Sequence, residues 1–475
     1  RRYLARGSSA VSATRRLAAF GARVKAVKRR AEHRARVSHP SRVIVHGFAS
    51  AIAVGTGLLM LPWSRASGES APFEDALFTA TSAVCVTGLA TVDTGTYWSA
   101  FGQAVILLLI QIGGLGIMTM ATLIVVLLSR RLGLRTRLVA QAETKSLTGA
   151  DVRRVVKSVV LFSLGTEAVI AAILAARFWA VYGFDFGSSV YQGVFHAISA
   201  FNNAGFSTNP DSLTRYSADP WILITVAIAV IVGGIGFPVV FELARSWRTP
   251  RVWSVLTRIT VVVTAALLAI GTLVYLLAES GNPLTLGSLS DPNKLLNAFF
   301  SGVMPRSGGF NSINIAELET ETLFATDLLM FIGGGSAGTA GGIKVTTFGL
   351  LAFVIWAQMR GEPRVQIGRR QVPADNERQA VAVALMALGI VVVGAFTLMW
   401  VSAFSSDAIL FESISAFATV GLSTGITPEL SDVSKYILVV LMFVGRLGPL
   451  TFATALAFRE RRKRYQVPEE RTIIG

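Results

Sequence analysis

Residues 199–210 read SAFNNAGFSTNP, and the chain contains four related versions of this short stretch around a glycine. The other three are SAVCVTGLATVD at 82–93, SGVMPRSGGFNSINIAE at 301–317 and SISAFATVGLSTGITP at 413–428. The aligned glycines lie 104 to 117 residues apart, at Gly88, Gly205, Gly309 and Gly421. This spacing predicts one structural unit repeated four times.

Apolar runs surround these loops. Of the 475 residues, 52% are hydrophobic and 15% are charged, and the mean hydropathy is +0.57, which is typical of a membrane protein. Eight runs are long enough to cross roughly 30 Å of hydrocarbon: 42–62, 100–129, 155–182, 219–245, 254–278, 323–358, 379–404 and 433–458. Between the members of each pair lies a shorter apolar stretch, suited to a re-entrant helix: 73–86, 191–204, 294–306 and 408–419.

The predicted fold is therefore an all-α polytopic membrane protein with four parallel M1-P-M2 repeats around a central pore. It has eight transmembrane helices and four re-entrant pore helices. The predicted parts are a tail at 1–41, repeats at 42–129, 130–245, 246–358 and 359–458, and a tail at 459–475. The second helix of the third repeat is predicted to be broken.

Charge predicts the orientation. Five segments on one side of this arrangement carry 36 of the 44 Lys and Arg residues, so the positive-inside rule places that side and both termini in the cytoplasm. The net charge of +16 is explained by this topology and by anionic lipid, and nucleic-acid binding is not expected. The 1–41 tail is predicted either as an amphipathic helix or as loose chain.

The glycine loops have the chemistry of a cation filter. Backbone carbonyls can replace the hydration shell of a monovalent cation without trapping it, and glycine permits the dihedral angles that this requires. Each preceding half-helix would direct its negative end at the ion. One such loop alone would more readily be an ordinary turn, whereas four in register favour a filter. The predicted carbonyl donors are Val86, Thr87, Gly88, Asn203, Ala204, Gly205, Ser307, Gly308, Gly309, Thr419, Val420 and Gly421.

From residue 42 onward the chain resembles the Trk/Ktr/HKT superfamily of potassium transporters, whose simplified filter keeps one glycine per repeat. The motifs most resemble those of its KtrB branch: SAVCVTGL at 82–89, LIQIGGLGIMT at 109–119, NNAGFS at 202–207 and GRLGPLT at 445–451. In this superfamily a serine at the first filter position is associated with sodium-transporting plant members, so Gly88 implies potassium. The third filter departs from the pattern, because alanine is expected at Gly308.

The sixth apolar run contains a candidate gate. Six of its ten residues between 333 and 342 are glycine, each costing roughly 1 kcal/mol in a helix relative to alanine. The helix is expected to break below the filter, and a tight helix crossing is the alternative. The resemblance implies that this segment obstructs the pore when closed. The predicted loop residues are Gly333, Gly334, Gly335, Ser336, Ala337, Gly338, Thr339, Ala340, Gly341 and Gly342.

Two basic residues complete the predicted gate. Arg446 lies midway along the last span, where a charge needs a cavity or a partner, and its position resembles that of the pore arginine of KtrB-like proteins. Snorkelling to the membrane surface is the alternative. Lys344 is expected either to act similarly or to cap the broken helix. No role is assigned to Glu167 or Glu242, and His196 is interpreted as a packing residue.

No paired acids, nucleophile with a base, or metal-ligand spacing suggests an enzyme. The four units have one orientation, which disfavours an inverted-repeat carrier. The predicted function is potassium uptake in the bacterial inner membrane. The alternatives are a TrkH-like cation symporter and a pore permeable to ammonium or sodium.

The resemblance also implies partners. These are a second copy of the chain in a homodimer and a cytoplasmic ring of KtrA-like RCK subunits that bind ATP or ADP. The expected docking surface of the ring is the basic cytoplasmic loops 130–154 and 359–378. No cofactor is expected in this chain, and the only expected metal is the potassium ion on the filter carbonyls.

Overall fold

The computed structural model describes residues 40–131, 149–362, 364–367 and 370–448. One unit comprises Phe48–Leu450, and a second comprises Arg1–Gly47 with Thr451–Gly475, of which only residues 40–47 are described. Nearly all of the predicted tails, most of the 130–154 loop and the end of the last predicted span therefore lie outside the described residues.

The described helices follow the order span, pore helix, span in each repeat. The first repeat has α1 (Pro40–Leu59), α2 (Phe73–Cys85), the short α3 (Thr94–Tyr97) and α4 (Ala100–Arg131). The second has α5 (Gly149–Tyr182), α6 (Phe186–Phe201), α7 (Pro220–Ile235) and α8 (Phe237–Ser246). The third has α9 (Val255–Glu279), α10 (Asp291–Val303), α11 (Thr320–Phe331) and α12 (Val345–Met359). The fourth has α13 (Ala374–Val401), α14 (Ser406–Ala418) and α15 (Asp432–Leu447).

One small sheet connects the third and fourth repeats. Strands β1 (Gln366–Ile367) and β2 (Arg370–Gln371) pair antiparallel, with Gln366 opposite Gln371. Ile367 of this hairpin packs with Ile259 of α9 and Ala357 of α12. These helix ends lie on the side predicted to be cytoplasmic.

Helix length and composition fit the predicted membrane fold. Among the described residues, α4, α5, α9 and α13 each contain a stretch long and apolar enough to cross a membrane alone. The bent pair α7 and α8 adds a fifth span, and α1 and α12 contain shorter apolar helices. The third repeat divides its second span between α11 and α12, as predicted. The last span, α15, is described over 16 residues.

The fourth span differs from the prediction. The apolar run 219–245 predicts one continuous helix, but α7 ends at Ile235, and α8 departs at 102° after Gly236. Gly236 has a φ of +100°, and a Cβ there would lie 2.4 Å from the Ser336 carbonyl oxygen. The bend follows from Gly236 and from Pro238 in the first turn of α8, and the glycine-rich segment of the third repeat packs against it.

The four pore helices match their predicted positions and end immediately before the filter loops. Glycines on the second spans let three of the pore helices pack closely against those spans. A Cβ on Gly113 would lie 2.0 Å from the Val84 carbonyl oxygen, and one on Gly445 would lie 1.7 Å from that of Phe417. A Cβ on Gly233 would lie 1.9 Å from the carbonyl oxygen of Phe201, the last residue of α6. The same contact between a glycine and a pore-helix carbonyl therefore recurs in repeats one, two and four.

Candidate ion pathway

The four aligned glycines meet in a closed ring. A Cβ on Gly88 would lie 2.5 Å from the Ala204 carbonyl oxygen, and one on Gly421 would lie 2.2 Å from the Thr87 carbonyl oxygen. Likewise, a Cβ on Gly205 would lie 2.8 Å from Gly309 Cα, and one on Gly309 would lie 2.6 Å from the Val420 carbonyl oxygen. Each loop therefore touches the next, and the fourth returns to the first.

All four loops share one unusual backbone pattern. The first residue of each predicted carbonyl trio has a positive φ, between 50° and 69°, and so does the glycine in the third position, between 70° and 98°. The first residues are Val86, Asn203, Ser307 and Thr419. Two of them are β-branched, for which a left-handed conformation is a genuine outlier. Such strain persists only where the surrounding structure determines it.

Two serines that sequence reasoning missed hold the first and fourth loops. Ser82 Oγ accepts a hydrogen bond from Gly88 N at 3.0 Å, and Ser415 Oγ accepts one from Gly421 N at 3.1 Å. The sequence does carry a signal for them, because a serine precedes the filter glycine by six residues in repeats one, two and four. In repeat two that serine, Ser199, donates to the Phe206 carbonyl instead.

The third loop is organised differently. Gly308 N donates to the Met304 carbonyl at 2.8 Å, and Ser307 Oγ donates to the Thr419 carbonyl of the fourth loop at 2.5 Å. A Cβ on Gly308 would lie 2.7 Å from Met304 Sδ. Glycine at this position therefore fits a closely packed loop.

A cavity of about 340 Å³ lies over the ring, and all four filter glycines line it. Its other lining residues come from the outer ends of the four loops, and Asp93 alone among the described lining residues is charged. One cavity therefore leads to one ring formed by four loops.

The third repeat has two helices where the sequence predicts one broken span. Helix α11 ends at Phe331 and α12 begins at Val345, so the ten predicted loop residues all lie between them. The segment is ordered by backbone contacts: Gly335 N donates to the Gly234 carbonyl at 2.8 Å, and Thr339 N donates to that of Gly233 at 3.1 Å. The glycines serve this close packing, since a Cβ on Gly335 would lie 1.9 Å from the Ile235 carbonyl oxygen.

Residues 333–342, the intramembrane loop, form hydrogen bonds to two filter loops. Thr339 Oγ1 donates to Asn203 Oδ1 at 2.6 Å, and Gly341 N donates to Ser307 Oγ at 3.1 Å. A Cβ on Gly341 would lie 1.9 Å from Thr419 Oγ1. The loop therefore lies against the first residues of the second, third and fourth trios.

Arg446 joins the last span to this loop. Its side chain is buried, and Nη1 donates to the Thr339 carbonyl while Nη2 donates to the Gly113 carbonyl at 3.3 Å. No carboxylate forms an ion pair with Arg446 among the residues that the structure describes. The guanidinium thus contacts backbone from the first and third repeats.

Two other basic side chains bind the intramembrane loop at its ends. Arg306, which follows pore helix α10, donates from Nη2 to the Gly333 carbonyl at 2.7 Å. Lys344 is the residue before α12, and its Nζ donates to the Ala340 carbonyl. The Lys344 side chain makes no capping hydrogen bond to α12, and its ammonium binds the loop instead.

A buried carboxylate lies behind the second filter loop. Glu167 on α5 accepts hydrogen bonds from Gln111 Nε2 at 3.0 Å and from Asn202 Nδ2 at 3.0 Å. Asn202 directly precedes Asn203, the first residue of the second trio. The sequence analysis assigned Glu167 no role, because nothing in the sequence pairs it with residues 56 and 35 positions away.

Two pore-helix side chains support the outer ends of filter loops. Buried Glu412 on α14 accepts from Thr424 N at 3.2 Å, from Thr427 Oγ1 at 3.0 Å and from Ser423 Oγ. In the second repeat, His196 Nε2 lies 3.0 Å from Ser207 Oγ. His196 therefore makes a specific polar contact as well as packing in the core.

Comparison with known proteins assigns this architecture to a family. The chain matches the model of the TrkH family, described as a cation transport protein, over residues 11–463. The protein belongs to this family of transport proteins, and it is not an enzyme.

Similar proteins cover almost the whole chain. It is 44% identical over 422 residues to "Ktr system potassium uptake protein B" of Bacillus subtilis, covering 89% of this chain and 94% of the relative. It is 38% identical over 435 residues to the protein of the same name in Vibrio alginolyticus, covering 91% and 94%. It is also 34% identical to "Potassium/sodium uptake protein NtpJ" of Enterococcus hirae, covering 92% and 97%.

A solved structure supports the fold. The potassium transporter TrkH from Vibrio parahaemolyticus superimposes with a TM-score of 0.69 at 18% sequence identity. The match covers 89% of this chain and 86% of that one.

Proposed function

We propose that this protein takes up potassium through the ring of four glycine loops. The observation that carries the proposal is the closed ring itself, in which four loops from four repeats contact one another in order beneath one cavity. Two relatives that are 44% and 38% identical are named potassium uptake proteins, in agreement with it.

The backbone of the loops suits this role. In a regular strand successive residues point to opposite faces. In each trio φ is positive at the first and third residues and not at the second, so the backbone departs from a regular strand. Adjacent carbonyls can then face a common axis and replace the hydration shell of a dehydrated cation. The four pore helices end just before these trios, and their C-terminal partial negative charge adds to the attraction.

The intramembrane loop and Arg446 act as the gate in this proposal. The loop lies against three filter loops, and the arginine binds its Thr339 carbonyl. A buried positive charge in a cation pathway opposes ion passage. Opening would require Arg446 and the loop to separate, together with loss of the Thr339–Asn203 hydrogen bond.

We also propose a regulatory partner and a homodimer, of which the names of the relatives support only the first. A "system" protein B implies a further subunit, and we assign that role to a KtrA-like RCK ring that binds ATP or ADP, with this chain as a homodimer. The location proposed is the bacterial inner membrane, with both termini in the cytoplasm. The basic hairpin region at 364–371 lies within the predicted docking surface.

Sodium transport is the second candidate, because the 34%-identical relative NtpJ is named a potassium/sodium uptake protein. Cation flux into liposomes that contain the purified chain distinguishes the two. Potassium and rubidium entry with little sodium entry would support the potassium filter. Sodium entry at the potassium rate would replace it with the second candidate.

A further inference from the structure

A second cavity lies away from the filter, between the start of α11 and the start of pore helix α14. Its volume is about 310 Å³. Three of its seven lining residues are acids, Glu321, Asp327 and Asp407, and none is basic. Thr320 contributes a further oxygen to the wall.

Two of the acids have an ordinary explanation. Glu321 lies in the first turn of α11 and Asp407 in the first turn of α14. Acidic side chains at these positions stabilise the partial positive charge of a helix N-terminus. They alone would not indicate a binding site.

Asp327 has no such explanation. It lies two turns into α11, and only 6% of its surface is exposed. Its Oδ1 is sealed from solvent and has no hydrogen-bond partner, and no ion pair to it exists within the described parts of the chain. A buried carboxylate oxygen without a partner is costly, so the group either takes up a proton or keeps an ion or a water beside it.

We propose that this cavity binds a cation, with the Asp327 carboxylate as its main ligand and Asp407 as the second. Carboxylate and hydroxyl oxygens are ligands for hard cations, the alkali and alkaline-earth metals. No three His, Cys, Asp or Glu side chains among the described residues are arranged to hold a metal by themselves. The ion therefore retains part of its water shell, for which the volume is sufficient at about 30 Å³ per water.

The position of the cavity connects it to two parts of the pathway. Helix α14 continues into the fourth filter loop at Thr419, and α11 continues into the intramembrane loop after Phe331. A cation that neutralises Asp327 would stabilise the packing of these two helices. This inference does not depend on which ion crosses the filter.

Equilibrium binding of ²²Na⁺ and ⁴⁵Ca²⁺ to the purified full chain in zwitterionic nanodiscs tests the site. Binding is measured at a series of potassium concentrations, from zero to one that fills the filter, because potassium is itself an alkali cation and competes for an alkali-metal site. We expect saturable binding of one of the two ions, and at least a tenfold loss of affinity in Asp327→Asn. The variant Asp407→Asn should weaken binding in the same direction. Asp291→Asn removes an exposed first-turn acid from pore helix α10 and should change nothing.

Sodium binding alone identifies a monovalent site, and calcium binding alone identifies a divalent one. The proposal is overturned if neither ion binds saturably to the unmodified chain. It is also overturned if Asp327→Asn binds the ion with the same affinity as the unmodified chain. If Asp327→Asn fails to insert, unchanged binding in Asp407→Asn would count against the two-carboxylate site.

Discussion

At the scale of single residues, the filter glycines are constrained by both conformation and space. Gly88 has a φ of +98°, which costs a residue with a Cβ about 1–2 kcal/mol. The Cβ would also lie 2.5 Å from the Ala204 carbonyl oxygen of the neighbouring loop. A side chain there must displace one of the carbonyls proposed to bind the ion.

The first prediction is that Gly88→Ser weakens discrimination against sodium. We expect the sodium-to-potassium flux ratio to rise about tenfold or more, equivalent to about 1.4 kcal/mol. The control is Gly68→Ser, because Gly68 also has a positive φ, +76°, but has no atom within 4 Å of its Cβ position. Unchanged selectivity in Gly88→Ser would count heavily against the filter assignment.

The second prediction concerns Glu167 behind the filter. Glu167→Ala leaves the half-buried Gln111 amide without its acceptor and removes one of the three acceptors of buried Asn202 Nδ2, at a cost of about 1–3 kcal/mol. We expect a lower thermal midpoint in detergent and reduced potassium selectivity, with Glu167→Gln intermediate. The exposed Glu69→Ala should match the unmodified protein. A selectivity that survives Glu167→Ala would show that Glu167 does not position the second loop through Asn202.

At the scale of elements, the intramembrane loop and α15 form one closed contact through Arg446. We predict that Arg446→Ala raises potassium flux measured without a regulatory partner, because the charge and its bond to Thr339 are both removed. Deleting residues 335–341 should have the same effect. The matched control is Arg258→Ala, since this partly exposed arginine also donates to backbone carbonyls, of Pro250 and Arg251. Lower or unchanged flux in correctly inserted Arg446→Ala would remove the gate hypothesis.

The elements were largely predictable from the sequence, because hydropathy and glycine register are local signals. The pore helices and the break between Phe331 and Val345 follow from them. The prediction of one continuous fourth span is wrong, although Gly236 and Pro238 are local helix-ending signals. The contact of Gly236 with Ser336, a hundred residues away, has no local signal. The left-handed Val86 and Thr419 carried no signal either, since β-branched residues ordinarily avoid that conformation.

At the scale of the whole molecule, polar contacts join neighbouring repeats around the ring. Asn202 reaches Gln111 at 3.0 Å between the first two repeats, and Asn297 Nδ2 reaches the Ser217 carbonyl at 2.7 Å between the next two. Ser307 binds the fourth loop. A half-buried ion pair of 3.1 Å between Lys435 on α15 and Asp75 on α2 connects the fourth repeat to the first.

The fourth prediction is that this last ion pair stabilises ring closure. Asp75→Ala removes the acceptor of Lys435 and of Thr91, at about 1.5–3 kcal/mol for bonds to a charged group. The thermal midpoint of the purified protein should fall, whereas Glu69→Ala, which breaks a more exposed pair with Arg65, should leave it unchanged. Equal midpoints in the two variants would show that closure does not depend on this pair.

The central claim is that four glycine loops form one potassium-selective ring, and cation uptake by the purified chain in liposomes tests it most directly. Potassium, rubidium, sodium and ammonium are compared with and without a nucleotide-binding RCK partner. We expect potassium and rubidium flux with little sodium flux, and a higher potassium flux with the partner. Equal sodium flux, or no flux of any cation in either condition, would contradict it.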